Sequence, residues 1–394
     1  MQHALSPELR LAAMCCSWPP TVSADERIAS LASRVSDWGR FEELVRHHRI
    51  RPLVYASIVR AGISVPGPIT DRLKKAAYVA LEQSLRMANE GVRMEGEFRQ
   101  SEIPMLIVKG VPLAVLAYGN IGIKEAWDID LLVSKEDAPA ARHLLLRLGY
   151  QLTDPQLTED EFARFINYSK EAGFRHSTTN IMTELHWRLL DSGNLLNFVD
   201  AKGASQDVLL PTGTLRTLAD EPLFAYLCLH GASHNWFRLK WLADVNAFLG
   251  KRSNAEVELL LKFAKKAGAG RSASVALQLC CELFDRSLSA DIQRELETST
   301  ISQRLRNNVL SSLSYRGGGI EPAPYTLQWL RVLLAAFFVS SDRNHVLAQA
   351  RFLWNAPLDR ARIALPPRLE FLYHIVRMPL WLHRVVMRRL RRAG

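Results

Sequence analysis

Apolar residues return every three or four positions through the first hundred residues, the spacing of one buried helix face. Ile28, Leu31 and Val35 set that period over residues 26–35. It continues over residues 41–60 and through a long polar-faced tract, 69–99. Pro19-Pro20 and Pro66-Gly67-Pro68 punctuate these helices. At Ile103 the pattern changes. Residues 103–108 form an unbroken apolar run that reads as a buried strand, and a helical run over 111–118 follows. Residues 128–133 read as a second strand. A helix over 137–148 is closed by Gly149, and two more strands, 173–177 and 181–187, are joined by Thr178-Thr179-Asn180. From residue 200 the helical period resumes over 221–237, 240–249, 255–267, 272–284 and 290–298. Residues 327–339 are the most apolar run. Arg331 interrupts it, it is too short to span a bilayer, and it reads as a buried helix. The Gly/Pro-rich stretch 315–324 reads as an exposed loop. The fold class is therefore α+β: a small mixed sheet at residues 101–199, flanked by an N-terminal helical region, 1–100, and a C-terminal helical region, 200–394, that ends in a basic tail.

The second strand carries the chemistry. Side chains at i and i+2 of a strand share a face, so Asp128 and Asp130 stand side by side. Two carboxylates held that close repel each other, and a hard divalent cation between them relieves the repulsion. Glu184, on the fourth predicted strand, supplies a third oxygen ligand if that strand lies beside the pair. Lys109-Gly110, at the end of the first strand and the start of a helix, offers a cation and free backbone N–H groups to phosphate. His186 lies two residues after Glu184 and shares its face.

Composition bounds the rest. The chain has 394 residues, ordinary apolar content and a net charge of +10. Nine arginines and one acid lie from Arg360 onward, 9 − 1 = +8, so the body is close to neutral and a broad nucleic-acid surface is not expected. Residues 378–392 mix apolar side chains with five arginines. They read either as a solvated tail or as a basic amphipathic helix for an anionic membrane or an acidic partner. Cys15-Cys16, Cys228 and Cys280-Cys281 form neither a disulfide framework nor a zinc spacing. With no signal-peptide pattern at the N-terminus, the expected location is the cytoplasm.

Four elements occur in order: Lys109-Gly110-Val111-Pro112-Leu113, Asp128-Ile129-Asp130-Leu131-Leu132-Val133, Glu184-Leu185-His186-Trp187-Arg188 and His230-Gly231-Ala232-Ser233-His234-Asn235-Trp236. Over residues 103–244 they resemble the polymerase-β-like nucleotidyltransferases, and within them an uncharacterised nucleotidyltransferase family with K-G-x-x-L, D-I-D-L-L-V, E-L-H-W-R and H-G-x-x-H-x-W elements. Three departures stand out. Val111 replaces the small or hydroxyl residue after the glycine, the gap from Gly110 to Asp128 is long, and Lys124 stands where an arginine is frequent.

The resemblance implies a nucleotidyltransferase core at residues 101–199. It implies Mg²⁺ held by Asp128, Asp130 and Glu184, with Glu184 assisting deprotonation of the acceptor. NTP contacts are expected from Lys109, Gly110, Lys124, His186, His230, His234 and Lys240. His230 and His234 share a helix face and read either as phosphate contacts or as packing. Asp244 either orients a substrate or fixes a neighbouring helix, and Trp187, Trp236 and Trp241 read as core. The expected reaction moves a nucleoside monophosphate from an NTP to a hydroxyl or phosphate of a small-molecule, peptide or protein acceptor, with release of pyrophosphate. A nucleotide-binding scaffold with little catalysis, and a phosphotransferase on the same fold, remain as alternatives.

Overall fold

Helices before and after the sheet bury their apolar faces against each other. The computed structural model of the chain describes residues 5–314, 326–355, 357–363, 365 and 367–373, so the 315–324 stretch and the 378–392 tail lie outside the described residues. Phe41, Leu44 and Val54 from the front of the chain share one core with Phe224, Leu242, Phe248 and Leu277 from the back. The tract 41–60 is two helices, Trp38–His47 and Arg51–Ala61, rather than one. Pro52 can sit only in a first helical turn, and Arg49 turns the chain with a positive φ of 54°. The long helix Gly67–Gln100 then crosses the sheet and buries Met87, Met94 and Phe98.

The main sheet has five strands. They are β1 (Leu106–Ile107), β2 (Asp128–Leu132), β3 (Tyr150–Asp154), β4 (Glu171–His176) and β5 (Met182–His186), in the order β1-β2-β5-β4-β3. β2 and β5 run parallel, and the other pairs are antiparallel. β1 is shorter than its apolar run, because the ladder to β2 holds only Leu106 and Ile107, extended by the Val108 N–H donating to the Asp130 carbonyl at 3.0 Å. β3 gave no sequence signal, for it is a half-exposed edge strand with an irregular register between Leu152 and Asp154. The unclear stretch before β4 contains the helix Glu159–Phe165, started by a capping box between Thr158 and Glu161.

Two expectations are corrected. The region after residue 200 is not helical throughout: β6 (Ser205–Leu210) and β7 (Gly213–Leu218) form a hairpin across Pro211-Thr212. The apolar run at 327–339 is the helix Leu327–Ala335 followed by a 3₁₀ turn, and it is not buried, since Leu327, Leu330, Leu334 and Phe338 are exposed. Among the described residues no helix is long and apolar enough to cross a membrane.

The alternation of β2 positions the site. Ile129, Leu131 and Val133 enter the sheet's own core with Phe174, Leu185 and Trp187. Leu132 enters the helical core, so Asp128 and Asp130, four and two residues before it on the same face, look toward the helices.

Candidate functional site

The β2–β5 register fixes the carboxylates. Asp130 is directly opposite Glu184, and Leu132 is opposite His186. On the far side of β5, Glu171 is opposite His186. Asp130, Glu184 and His186 therefore share one face, and their ligand atoms all lie within 4.8 Å of one another. Asp128 stands one pleat away at the rim of the same cavity.

Two cations already hold Asp130. Lys109 Nζ lies 2.5 Å from Oδ1, and His186 Nε2 lies 3.2 Å from the same oxygen. Burial alone would raise the Asp130 pKa, but these two neighbours hold it well below the ordinary carboxylate value. Its other oxygen, Oδ2, is buried with no hydrogen-bond partner. His186 Nδ1 meets Glu171 Oε2 at 3.0 Å, and Nε2 is 3.5 Å from Glu184 Oε2. Burial opposes its charge, yet Glu171, Asp130 and Glu184 push the imidazole pKa well above 6.5. His186 is thus an imidazolium. Its Nε2 bonds to Asp130 Oδ1 and its Nδ1 lies at ion-pair distance from Glu171, so the ring aligns Asp130 within the ligand cluster. Lys170 closes this line of charges, 2.7 Å from Glu171 Oε2.

Asp128 behaves in the opposite way. Burial and the negative charge of Asp130 push its pKa up to about 6. Asp130, with its free Oδ2, and Glu184 offer oxygen to a hard divalent cation in a cluster completed by His186, and Asp128 lines the same cavity.

The cavity over these groups has a volume of about 270 Å³. Its walls bring together Lys109, Gly110, Lys124, Asp128, Asp130, Glu184, His186, His230, His234, Lys240, Trp241 and Asp244. Gly110 has φ +74°, a conformation that glycine adopts freely, and its backbone passes close to the Asp128 carbonyl. Only one helical turn, Val111–Leu113, follows before a π-helical turn, so the helix start there is short. Lys124 pairs with Asp244, and the Tyr118 hydroxyl donates to Asp244 Oδ1 at 3.0 Å. Asp244 thereby ties the loop before β2 to the helix Leu239–Leu249. Lys240 has no ion-pair partner among the described residues, and burial with the nearby cations Lys124 and Arg49 lowers its pKa to about 8. Arg238 is turned away and donates to the His47 carbonyl.

The helix expected over 221–237 ends at Ser233, with His234 as its cap. Asn235 and Trp236 take positive φ values of 50° and 49°, and Trp236 folds back over the helix. A Cβ on Gly231 would lie 2.1 Å from that indole ring, so only glycine admits the ring there. His230 and His234 still line the cavity, with His234 stacked on Trp241 at 5.1 Å. Burial first, then Lys109 for His230 and Lys170 for His234, lowers both pKa values, that of His234 to about 4. Both rings are neutral near pH 7 and act as hydrogen-bonding groups rather than charges.

Among the cavity residues that escaped the sequence reading are Arg49, Glu125, Lys170, Glu171 and Tyr226. Glu171 was detectable by running the alternation of β4 back two residues from Gly173. Lys170 then follows as its neighbour. Tyr226 sits one turn before His230 on the same helix face. Arg49 carried no sequence signal.

Residues 34–285 match a family described as an uncharacterised nucleotidyltransferase. No curated protein matches the chain.

Proposed function

The chain belongs to this nucleotidyltransferase family, and on that premise we propose that it moves a nucleoside monophosphate from an NTP to a hydroxyl or phosphate of an acceptor, with Mg²⁺ at Asp128, Asp130 and Glu184. The observation that supports this most is the register Asp130↔Glu184 beneath a buried, unpartnered Asp130 Oδ2. When bound, the ion would neutralise and orient the triphosphate. Lys109 and His186 hold Asp130 ionised and aimed. Lys240 and the neutral imidazoles of His230 and His234 supply hydrogen bonds to phosphate from the opposite wall. Glu184 is the carboxylate placed to accept the acceptor's proton. Val111 carries no hydroxyl, so side-chain help to the triphosphate on that side falls to Lys109 alone.

The test is incubation of the protein with Mg²⁺, each of the four NTPs and a panel of hydroxyl and phosphate acceptors, followed by mass spectrometry. A nucleoside-monophosphate adduct with pyrophosphate release supports the reading, and loss of both in Asp128→Asn assigns them to this site. Release of a nucleoside diphosphate with a phosphorylated acceptor would replace it with phosphoryl transfer. NTP binding without turnover of any kind would replace it with a nucleotide-binding role.

A further inference from the structure

A second cavity opens beside the carboxylates. It has a volume of about 650 Å³ and runs between the helix Trp38–His47 and the first half of the long helix Gly67–Gln100. Glu125, Ala126 and Trp127 line both this groove and the carboxylate cavity, so the two adjoin along one wall. That shared wall is fixed. Arg51 grips Glu125 with two arms, at 2.9 and 2.8 Å, which neutralises a nearly buried carboxylate. Trp127 immediately precedes Asp128 and is 48 % exposed, an unusual position for an indole beside a charged cavity.

The groove's own chemistry is graded. Along the long helix it offers the apolar side chains of Leu73, Ala76, Val79 and Ala80, with Gln83 as a neutral polar group beside them. Its charges are largely spent on each other: Arg72 holds Glu42 at 2.5 and 2.6 Å, and Glu43 is held by Arg40 at 2.6 Å. Two cations are left over. Among the described residues neither Arg46 nor Lys75 has an ion pair or side-chain hydrogen bond, and both line the groove and are exposed. A groove of this size suits a ligand of several hundred daltons rather than a lone base or a polymer. The carboxylate cavity, at about 270 Å³, is too small to enclose an NTP and such an acceptor together.

We infer that this groove is the acceptor site, and that the acceptor is a hydroxy acid with an apolar body: its anionic end reaches Arg46 and Lys75, its body lies along Leu73, Val79 and Trp127, and its hydroxyl enters the carboxylate cavity. This rests on the nucleotidyl-transfer reading. In the step, the acceptor oxygen bonds to the α-phosphorus of the NTP. The bond from that phosphorus to the bridging oxygen breaks, and pyrophosphate departs with the electron pair. The hydroxyl proton passes to the Glu184 carboxylate. Trp127 is a positioning residue, holding the acceptor body at the wall the two cavities share.

The test has two readouts. The first is a fluorescence titration of the full chain with an anilinonaphthalene sulfonate, an apolar anion, as probe. Wild-type protein should bind it saturably. Arg46→Gln with Lys75→Gln should weaken it about tenfold, the scale of one lost charge-assisted contact. Val79→Trp, a substitution at an exposed position, should fill the groove and abolish binding. Mg²⁺-ATP binding, followed by thermal shift, should be unchanged in both variants. The second readout is turnover of a chain-length series of ω-hydroxy carboxylates with NTP and Mg²⁺. There the variants should raise the acceptor KM and leave the NTP KM unchanged. Unaltered probe binding in both variants overturns the groove assignment, whatever the enzyme's activity. A raised NTP KM also overturns it, because the groove would then hold the nucleotide. Probe binding lost as expected, with no NTP turnover in wild type, leaves the ligand groove standing and removes the nucleotidyl-transfer reading instead.

Discussion

Asp130 and Glu184 face each other across neighbouring parallel strands, yet Asp130 Oδ1 meets both Lys109 and His186 while Glu184 reaches His186 at 3.5 Å. The two aspartates of β2 therefore differ in what their removal does. Asp130→Asn leaves the buried Lys109 ammonium without its counter-ion, and His186 with Glu171 and Glu184 alone, which costs roughly 3–5 kcal/mol. Asp128→Asn removes a buried charge whose burial and repulsion by Asp130 outweigh its attraction to Lys109. We expect Asp130→Asn to lower the melting temperature sharply and Asp128→Asn to hold or raise it, while each abolishes Mg²⁺-dependent NTP turnover. Thermal unfolding beside turnover per folded molecule checks the pair. Equal melting shifts in the two variants would show that Asp130 is not the counter-ion.

The pH dependence of stability follows from Asp128. Its folded pKa is raised from 3.8 to about 6, so the folded protein holds this proton more tightly than the unfolded chain does. The contribution is fully present below about pH 4 and is lost as pH rises through 6, a change on the order of 3 kcal/mol. Melting curves of wild type and Asp128→Asn should therefore diverge between pH 4 and 7, with the variant gaining on the wild type. Mg²⁺, which favours the ionised carboxylate, should stabilise the wild type more at pH 7 than at pH 5. A Mg²⁺ effect independent of pH would contradict the site.

The Gly231–Trp236 contact is structural. A methyl group at Gly231 would overlap the indole ring, 2.1 Å from its Cζ3. Gly231→Ala should destabilise by about 1–3 kcal/mol or more. Adding Trp236→Ala should recover part of the loss that the methyl alone causes, a non-additivity that unfolding of the four proteins in the cycle would reveal. Simple additivity would mean that the ring does not fill that space.

Much of this site was readable from side-chain period. The two-residue alternation put Asp128 with Asp130 and Glu184 with His186, and the four-residue spacing put His230 with His234. What was missed lay where no period existed or where partners are distant. Lys170 precedes β4 and Glu171 is its first residue, both ahead of the strand 173–177 read from the sequence. Tyr118 and Asp244 are 126 positions apart, so their hydrogen bond, and the pairing of Lys124 to the same carboxylate, arises only on folding. Charge state was hidden for the same reason. His186 becomes an imidazolium, and His230 and His234 become neutral, because of what tertiary packing sets beside them. The β6–β7 hairpin was marked by Pro211-Thr212-Gly213 between two short runs, a signal outweighed by the helices on either side.

The neutral histidines predict a specific pattern of substitution. If His230 and His234 serve phosphate by hydrogen bonding, a glutamine keeps a donor at the same place without a charge. His230→Gln and His234→Gln should retain more NTP turnover than the alanine variants, and neither histidine should impose an inflection near pH 6.5 on the rate. If both merely pack, the glutamine and alanine variants should differ in melting temperature but not in turnover per folded molecule.

Lys240 separates stability from function most cleanly. Its folded pKa is lowered to about 8, by burial first and then by Lys124 and Arg49. A lysine with a lowered pKa contributes stability above its unfolded value, 10.5, and loses it as pH falls through 8, so near neutrality its charge strains the empty protein. An NTP supplies the missing anion. Lys240→Met should raise the melting temperature of the NTP-free protein at pH 7 and weaken NTP binding by about tenfold, the loss of one charge-assisted contact. In the wild type, NTP affinity should decline as pH rises beyond 8, with the midpoint shifted upward by the bound triphosphate. Lys240→Arg should abolish that decline, because a guanidinium stays protonated throughout the range. Isothermal titration of Mg²⁺-NTP from pH 6.5 to 9.5 into the three proteins measures all of this. Unchanged NTP affinity in Lys240→Met would remove Lys240 from the nucleotide site and leave its charge to the pairing pattern around Asp244.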